Sequence, residues 1–417
     1  MKSHKIQLII FLSAFLLYLL SANLIVKQHS IAPQYVYLAN AFLHGRLDLA
    51  ELPQNTYDLI LYNGYWFVPG ALAPALLMMP FVAIVGTGFS DVFFGILIGA
   101  LNVLLMYILL GRLGMDEISP KRLWLTFLFA VGTVHWWVTS LGNTWFNAHS
   151  VAVMFMLLFV NETLADQRPW LAGLWLGLAA LSRPPTLFAA FFFLVYAFSL
   201  SHDWRVVFQN KLLPFGLTFS LGVGVILTYN VLRFGNPLEF GYRYVQGSYA
   251  IVRAIERYGS FSHIYMPCNL YVSLVGPPNL PGAAALGDTV CWQLASLSHG
   301  FEAPFEFFDP RGMSIFLTTP AFLYLFKARW HEPLVRAALA GSLAVLLVLW
   351  MYSTPGWVQF GYRYILDIIP FLIILISSGM PSLTNNARLL IVLSSIINSI
   401  GYLMMFKAVY GVFPLGI

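Results

Sequence analysis

The stretch KQHSIAPQYVYLANAFLHGRLDLAELPQNTYDLILYNGYWFVPGALAPALLMMPFVAIVG (27–86) decides how the rest of the chain is read, because whether it crosses a membrane sets the side of every later loop. It opens with an aromatic, apolar segment of few charges. In YDLILYNGYWFVPG (57–70), Asn63-Gly64 sits between two alternating apolar strips, which is the signature of a β-hairpin with a type I′ turn. A hairpin has open edges and is not stable bare in lipid. The run ALAPALLMMPFVAIVG (71–86) carries Pro74 and Pro80 and as a helix covers ~24 Å, short of the ~30 Å hydrocarbon core. We read it as a helix at the membrane surface. Residues 27–88 then form one non-cytoplasmic loop of amphipathic structure held against the bilayer.

Composition sets the class. The 417 residues are 59% hydrophobic and 9% charged, far below the ~25% charge of a soluble protein, so the expectation is an all-α polytopic membrane protein. The net charge of +5 is no nucleic-acid signal, because the basic residues fall in short inter-span loops and not in a patch. Met1-Lys2-Ser3-His4-Lys5 leads into an apolar run, Gln7 to Val26, without a small-residue cleavage pattern, which reads as an uncleaved anchor. The two cysteines, Cys268 and Cys291, lie in the longest polar interval; a disulfide is expected if that interval faces an oxidising compartment, and two unpaired thiols is the alternative.

Ten further spans are read at about 89–111, 122–140, 148–165, 169–182, 185–200, 212–232, 313–326, 334–352, 365–381 and 388–406, about eleven with the first. Charge tests the parity. With the amino terminus inside, the cytoplasmic loops hold twelve Lys and Arg residues and the outer ones, apart from 233–312, hold five: Lys27, Arg46, Arg183, Arg363 and Lys407. That is the positive-inside bias; letting 71–86 cross would invert it. The expected location is the plasma (inner) membrane, with the amino terminus cytoplasmic and the carboxyl terminus exoplasmic. Three parts follow: a module at 1–232, a large exoplasmic loop at 233–312, and carboxyl-terminal helices at 313–417.

The ionisable residues crowd one side. Eleven of the seventeen acids, among them Asp48, Asp58, Asp91, Asp309 and Asp367, share the outer face with Arg183, Arg311 and Arg363. Arg183 stands where Pro184-Pro185 breaks two short helices. Asp367 lies just inside a span, where an ionised group is costly unless paired; a helical i, i+4 pair with Arg363 is the simple expectation, and it leaves Arg363 donors for a phosphate. The pentad FGYRY occurs twice, at 240–244 and 360–364, as a local duplication or as two interfacial anchors.

The motifs YVYLANAFLHGRLDL (35–49), LGLAALSRPP (176–185), NVLRFGNPLEFGYRY (230–244) and QFGYRYILDIIPF (359–371), in this order of loops and spans, resemble the GT-C superfamily of polyprenyl-phosphate-dependent glycosyltransferases, which includes protein O-mannosyltransferases and aminoarabinose transferases. The resemblance covers most of the chain in architecture. It implies inverting transfer of a sugar from a polyprenyl-phosphate donor to a glycan, lipid or protein acceptor at the exoplasmic face, with an acid of the first external loop as base. Where that acid is usual, this chain reads His29-Ser30-Ile31-Ala32-Pro33, without a carboxylate. The nearest substitutes are Asp48 and Asp58, and in TSLGNTWFNAHS (139–150) His149 occupies the matching position of the second loop, with Asn147 beside it. Arg183 and Arg363 are the candidates for the lipid phosphate, followed by Arg311 and Tyr362, with Asp367 as a further substrate-site residue. Some superfamily members use a divalent metal; no His/Asp spacing here demands one.

Two other classes compete. A transporter or flippase carries charges at mid-bilayer depth, whereas these spans are nearly charge-free. A non-catalytic protein that binds lipid-linked sugars fits the missing early carboxylate.

Overall fold

A computed structural model describes residues 2–22, 25–70, 72–201, 203–247, 249–279, 283–297, 308–411 and 414. Helices dominate. Six are long and apolar enough to cross a membrane: His4–Ser21, Asp91–Arg112, Thr144–Ala165, Trp204–Phe234, Pro333–Trp350 and Asn385–Tyr410. A bent pair, Pro120–Val131 with His135–Leu141, makes a seventh if it is taken as one span. The other four stretches read as spans are short pieces. Pro169–Ala180 is followed by a 3-10 turn at Pro184–Ala189 and the helix Ala190–Leu200. Residues 313–326 divide at Pro320 into Ile315–Thr318 and a 3-10 run, Pro320–Lys327. Residues 365–381 begin with the 3-10 turn Arg363–Ile368 and continue as Ile369–Gly379. Proline marks each break, since it removes a donor and pushes the residue before it toward extended backbone; Arg183 has φ −145°.

Burial sorts the long helices. Asp91–Arg112 and Thr144–Ala165 are largely enclosed, whereas His4–Ser21 and Trp204–Phe234 display Leu16, Leu20, Leu217 and Leu221 outward, as lipid-facing helices do. Trp204–Phe234 lies against Pro169–Ala180 through glycine: a Cβ on Gly173 would stand 2.2 Å from the Phe215 carbonyl oxygen. Small residues permit that close approach where apolar burial gives no drive.

The hairpin expected at Asn63-Gly64 is present. Ile60–Tyr62 pairs antiparallel with Tyr65–Phe67, and both turn residues are left-handed, at φ 51° and 82°. It does not lie alone: Ile60 bridges to Val245, and Ile60, Phe67, Phe234 and Val245 bury one another. The run after it forms the helix Ala73–Val85, about 20 Å long at ~1.5 Å per residue and packed on the helix Gln34–Leu43.

Within 233–312 the described residues form short helices, including Tyr249–Tyr258, Met266–Leu270 and Ala283–Val290. Cys268 and Cys291 are joined in a disulfide with Cα atoms 4.7 Å apart. Asn269 docks this region on the end of Pro333–Trp350 by donating to the carbonyls of Trp350 (3.0 Å) and Tyr352 (2.9 Å). The two FGYRY pentads take one local form: Gly241 and Gly361 are left-handed (φ 82° and 75°), and each pentad runs into a 3-10 turn. Their arginines differ. Arg243 is exposed and pairs with Glu239, whereas Arg363 is buried.

Candidate functional site

The bundle's short pieces converge on a cavity of about 380 Å³. Its walls come from distant parts of the chain. The first loop supplies Tyr35 and Asp58, the Thr144–Ala165 helix His149, the Pro184 break Arg183, the 233–312 region Tyr242, and the second pentad Arg363 and Tyr364. The helix Tyr249–Tyr258 closes one side with Ile251, Val252 and Ile255. Polar groups thus face an apolar cover, the make-up of a small-molecule site.

Asp367 organises one wall from behind. Its buried carboxylate accepts from Arg183 Nε (3.2 Å) and Nη2 (3.0 Å), and from His149 Nδ1 at 3.1 Å. The i, i+4 pair of Arg363 with Asp367 does not form. Residues 363–368 wind as a 3-10 helix of 3.0 residues per turn, so a residue four places on lies a third of a turn away. Arg363 instead turns toward the cavity. Its Nη1 donates to Trp357 O (3.1 Å) and Gln359 Oε1 (3.2 Å), its Nε has no partner, and it makes no ion pair among the described residues. The Tyr364 ring holds these groups together, with Arg183 Cζ 4.7 Å, Arg363 Cζ 5.4 Å and the His149 ring 5.6 Å from its centroid.

Asp58 opens the hairpin and lines the same cavity with a left-handed backbone, φ 65°, which Asp tolerates better than most residues; its N–H donates to Gln246 O at 2.9 Å. Asn143, also left-handed at φ 85°, caps the Thr144–Ala165 helix by accepting from Phe146 N at 3.0 Å. Burial pushes the Tyr35 and Tyr242 hydroxyls above the usual phenol range, so both stay protonated donors beside Arg183.

Several candidates lie elsewhere. Asp48 is paired with Arg46 and does not line the cavity. Asn147 is buried and donates to the Asp91 carbonyl. Arg311 is buried between Asp309 and Asp288, and although burial opposes its charge, these carboxylates hold its pKa above the usual arginine value. Tyr362 is buried behind the cavity wall. Sequence reasoning missed Tyr35, Tyr242, Tyr352 and Tyr364, which meet only in space; the two pentads were the signal for Tyr242 and Tyr364, and Tyr352 had none. It also missed the pairing of Asp91, whose buried carboxylate accepts from Ser30 N (2.8 Å) and Ser30 Oγ (2.5 Å), beside the HSIAP segment that lacks an acid. Among the described residues no group of three or more His, Cys, Asp and Glu side chains is placed to hold a metal ion.

No family profile matches the sequence, and no curated protein matches it significantly. Solved structures do match. The apo crystal structure of the Archaeoglobus fulgidus oligosaccharyltransferase shares 12% identity and a TM-score of 0.51, over 96% of this chain and 55% of that one. The same enzyme tethered with an acceptor peptide containing the NVT sequon matches at 14% identity and a TM-score of 0.49, with the same coverage. This chain therefore spans about half the length of the enzyme it matches. At such identity the likeness is one of fold: the chain shares the helical membrane fold of that glycan-transferring enzyme over nearly its whole length.

Proposed function

We propose that this protein is a membrane glycosyltransferase that moves a sugar from a polyprenyl-phosphate carrier to an acceptor at the exoplasmic face, with inversion. The observation that carries the reading is Arg363, a buried cation with neutral partners that lines the same cavity as the Asp58 carboxylate. A buried cation that no carboxylate bonds directly is costly even with the Asp58 charge nearby, and an anionic ligand on the guanidinium supplies the missing ion pair.

In this reading the carrier phosphate lies on Arg363. Arg183, its charge already shared with Asp367, stands beside it. The acceptor hydroxyl oxygen attacks the anomeric carbon as the bond from that carbon to the phosphate oxygen breaks. Asp58 takes the hydroxyl proton, and the phosphate leaves as an anion whose charge Arg363 balances. Tyr35, Tyr242 and Trp357 offer aromatic faces to the sugar. All three parts of the chain, 1–232, 233–312 and 313–417, contribute walls. The cavity would open to the outer face of the plasma membrane.

The test is release of free polyprenyl phosphate by the purified protein, given a panel of polyprenyl-phosphate sugars and crude envelope acceptors. Wild type is expected to release it. Asp58→Asn should lose about 10²–10⁴ of the rate while still binding donor, and Asp48→Asn should keep it. Donor binding without release from any donor would instead identify a non-catalytic lipid-linked-sugar binding protein or a flippase.

A further inference from the structure

His149 lines the cavity and keeps one buried ring nitrogen with nothing to bond it. Its Nδ1 is 3.1 Å from Asp367 Oδ1, and Asp367 also receives both Nε and Nη2 of Arg183. A carboxylate held by a guanidinium is ionised and only accepts, so the imidazole proton sits on Nδ1. That leaves Nε2 with its lone pair. Nε2 is buried and has no partner, and His149 lines the cavity with a side chain 1% exposed.

What the lone pair can do follows from charge. Two guanidinium groups, Arg183 and Arg363, gather at the Tyr364 ring, and Asp367 pairs with Arg183. A proton added to His149 would be a third cation beside the Asp367 carboxylate, and the carboxylate that lines the cavity, Asp58, acts on Arg363. The ring is therefore built to accept a hydrogen bond and not to carry a proton away. Because Arg363 and His149 both pack against Tyr364, a donor hydroxyl at Nε2 belongs to a group next to the bound anion.

We propose that His149 Nε2 accepts a hydrogen bond from a hydroxyl of the carrier-linked sugar, so that His149 is a specificity-determining residue, with Asp367 and Arg183 as the positioning residues that fix its tautomer. This rests on the function proposed above and adds the group that distinguishes a sugar-bearing carrier from a bare one.

The test uses the full chain in lipid nanodiscs and two probes, polyprenyl phosphate alone and polyprenyl phosphate carrying a hexose. Wild type should bind the hexose probe at least tenfold more tightly, and His149→Phe should erase that preference while binding the bare probe as before. Nitrogen NMR of the labelled wild type should show the proton on Nδ1, with Nε2 shifting when the hexose probe is added and not with the bare one. In Asp367→Asn the amide donates toward Nδ1, so the proton should move to Nε2 and the preference should vanish. A retained preference in His149→Phe, or a wild-type proton on Nε2, overturns the inference. If His149→Phe binds neither probe, the wild-type spectrum decides: the hexose-specific Nε2 shift supports it and its absence overturns it. Wild type binding both probes equally refutes this inference alone, whereas wild type binding neither also refutes the proposed function.

Discussion

At the scale of single residues, the buried Asp367 carboxylate shares its charge between two partners, Arg183 and His149. Asp367 is fully buried, and removing it strands Arg183. Asp367→Ala should therefore cost about 3–5 kcal/mol, whereas the double change Arg183→Met with Asp367→Leu should recover much of that, as read by thermal unfolding in detergent. Arg363 makes a different prediction. Arg363→Ala should weaken binding of polyprenyl phosphate by about 10- to 100-fold, the worth of a lost charged hydrogen bond, and Arg363→Lys should do so less. Unchanged binding in Arg363→Ala would remove that residue from the site. Arg183, Arg363 and Asp367 stood out in the sequence because ionised groups near a bilayer need partners. Which one paired with which was not legible there. The i, i+4 spacing of 363 and 367 assumes an α-helix, and the 3-10 winding undoes it.

At the scale of elements, local chemistry was readable and its tertiary use was not. Asn63-Gly64 specifies its hairpin, because both turn positions need positive φ. Pro184-Pro185 specifies its break. Nothing in YAIVRAIERY (249–258) announces that Ile251 and Ile255 close a cavity lined by residues from the first loop and the second pentad. The span expected at 313–326 failed as one helix because Thr319, ahead of Pro320, has a non-helical backbone, φ −134° and ψ 76°. The disulfide closes a 23-residue separation, for which chain entropy gives about 3 kcal/mol. Cys268→Ser should lower the unfolding temperature and abolish any mobility change on reduction; a mobility change that persists in the variant would rule the bond out.

At the scale of the whole molecule, the sidedness of the site depends on the helix Ala73–Val85 lying at the surface. Tyr65 and Ile118 are both exposed and are separated by that helix and by Asp91–Arg112. Tyr65→Cys should accept a membrane-impermeant thiol reagent from outside, and Ile118→Cys only after the membrane is opened. Labelling of both from one side would mean that the surface helix crosses. The helical membrane architecture was legible from composition and loop order; how many of the short pieces traverse the bilayer was not, because broken helices share the composition of whole ones. The ion pair between Arg183 and Asp367 also carries a timetable. Its members lie 184 residues apart, so during synthesis the arginine enters the membrane region long before its carboxylate exists. At about 5–20 residues per second that interval is roughly 10–40 s. Until then the Pro184 elbow has a cation and no anchor, and nascent chains stopped short of residue 367 should be open to protease there, while chains a little longer are not.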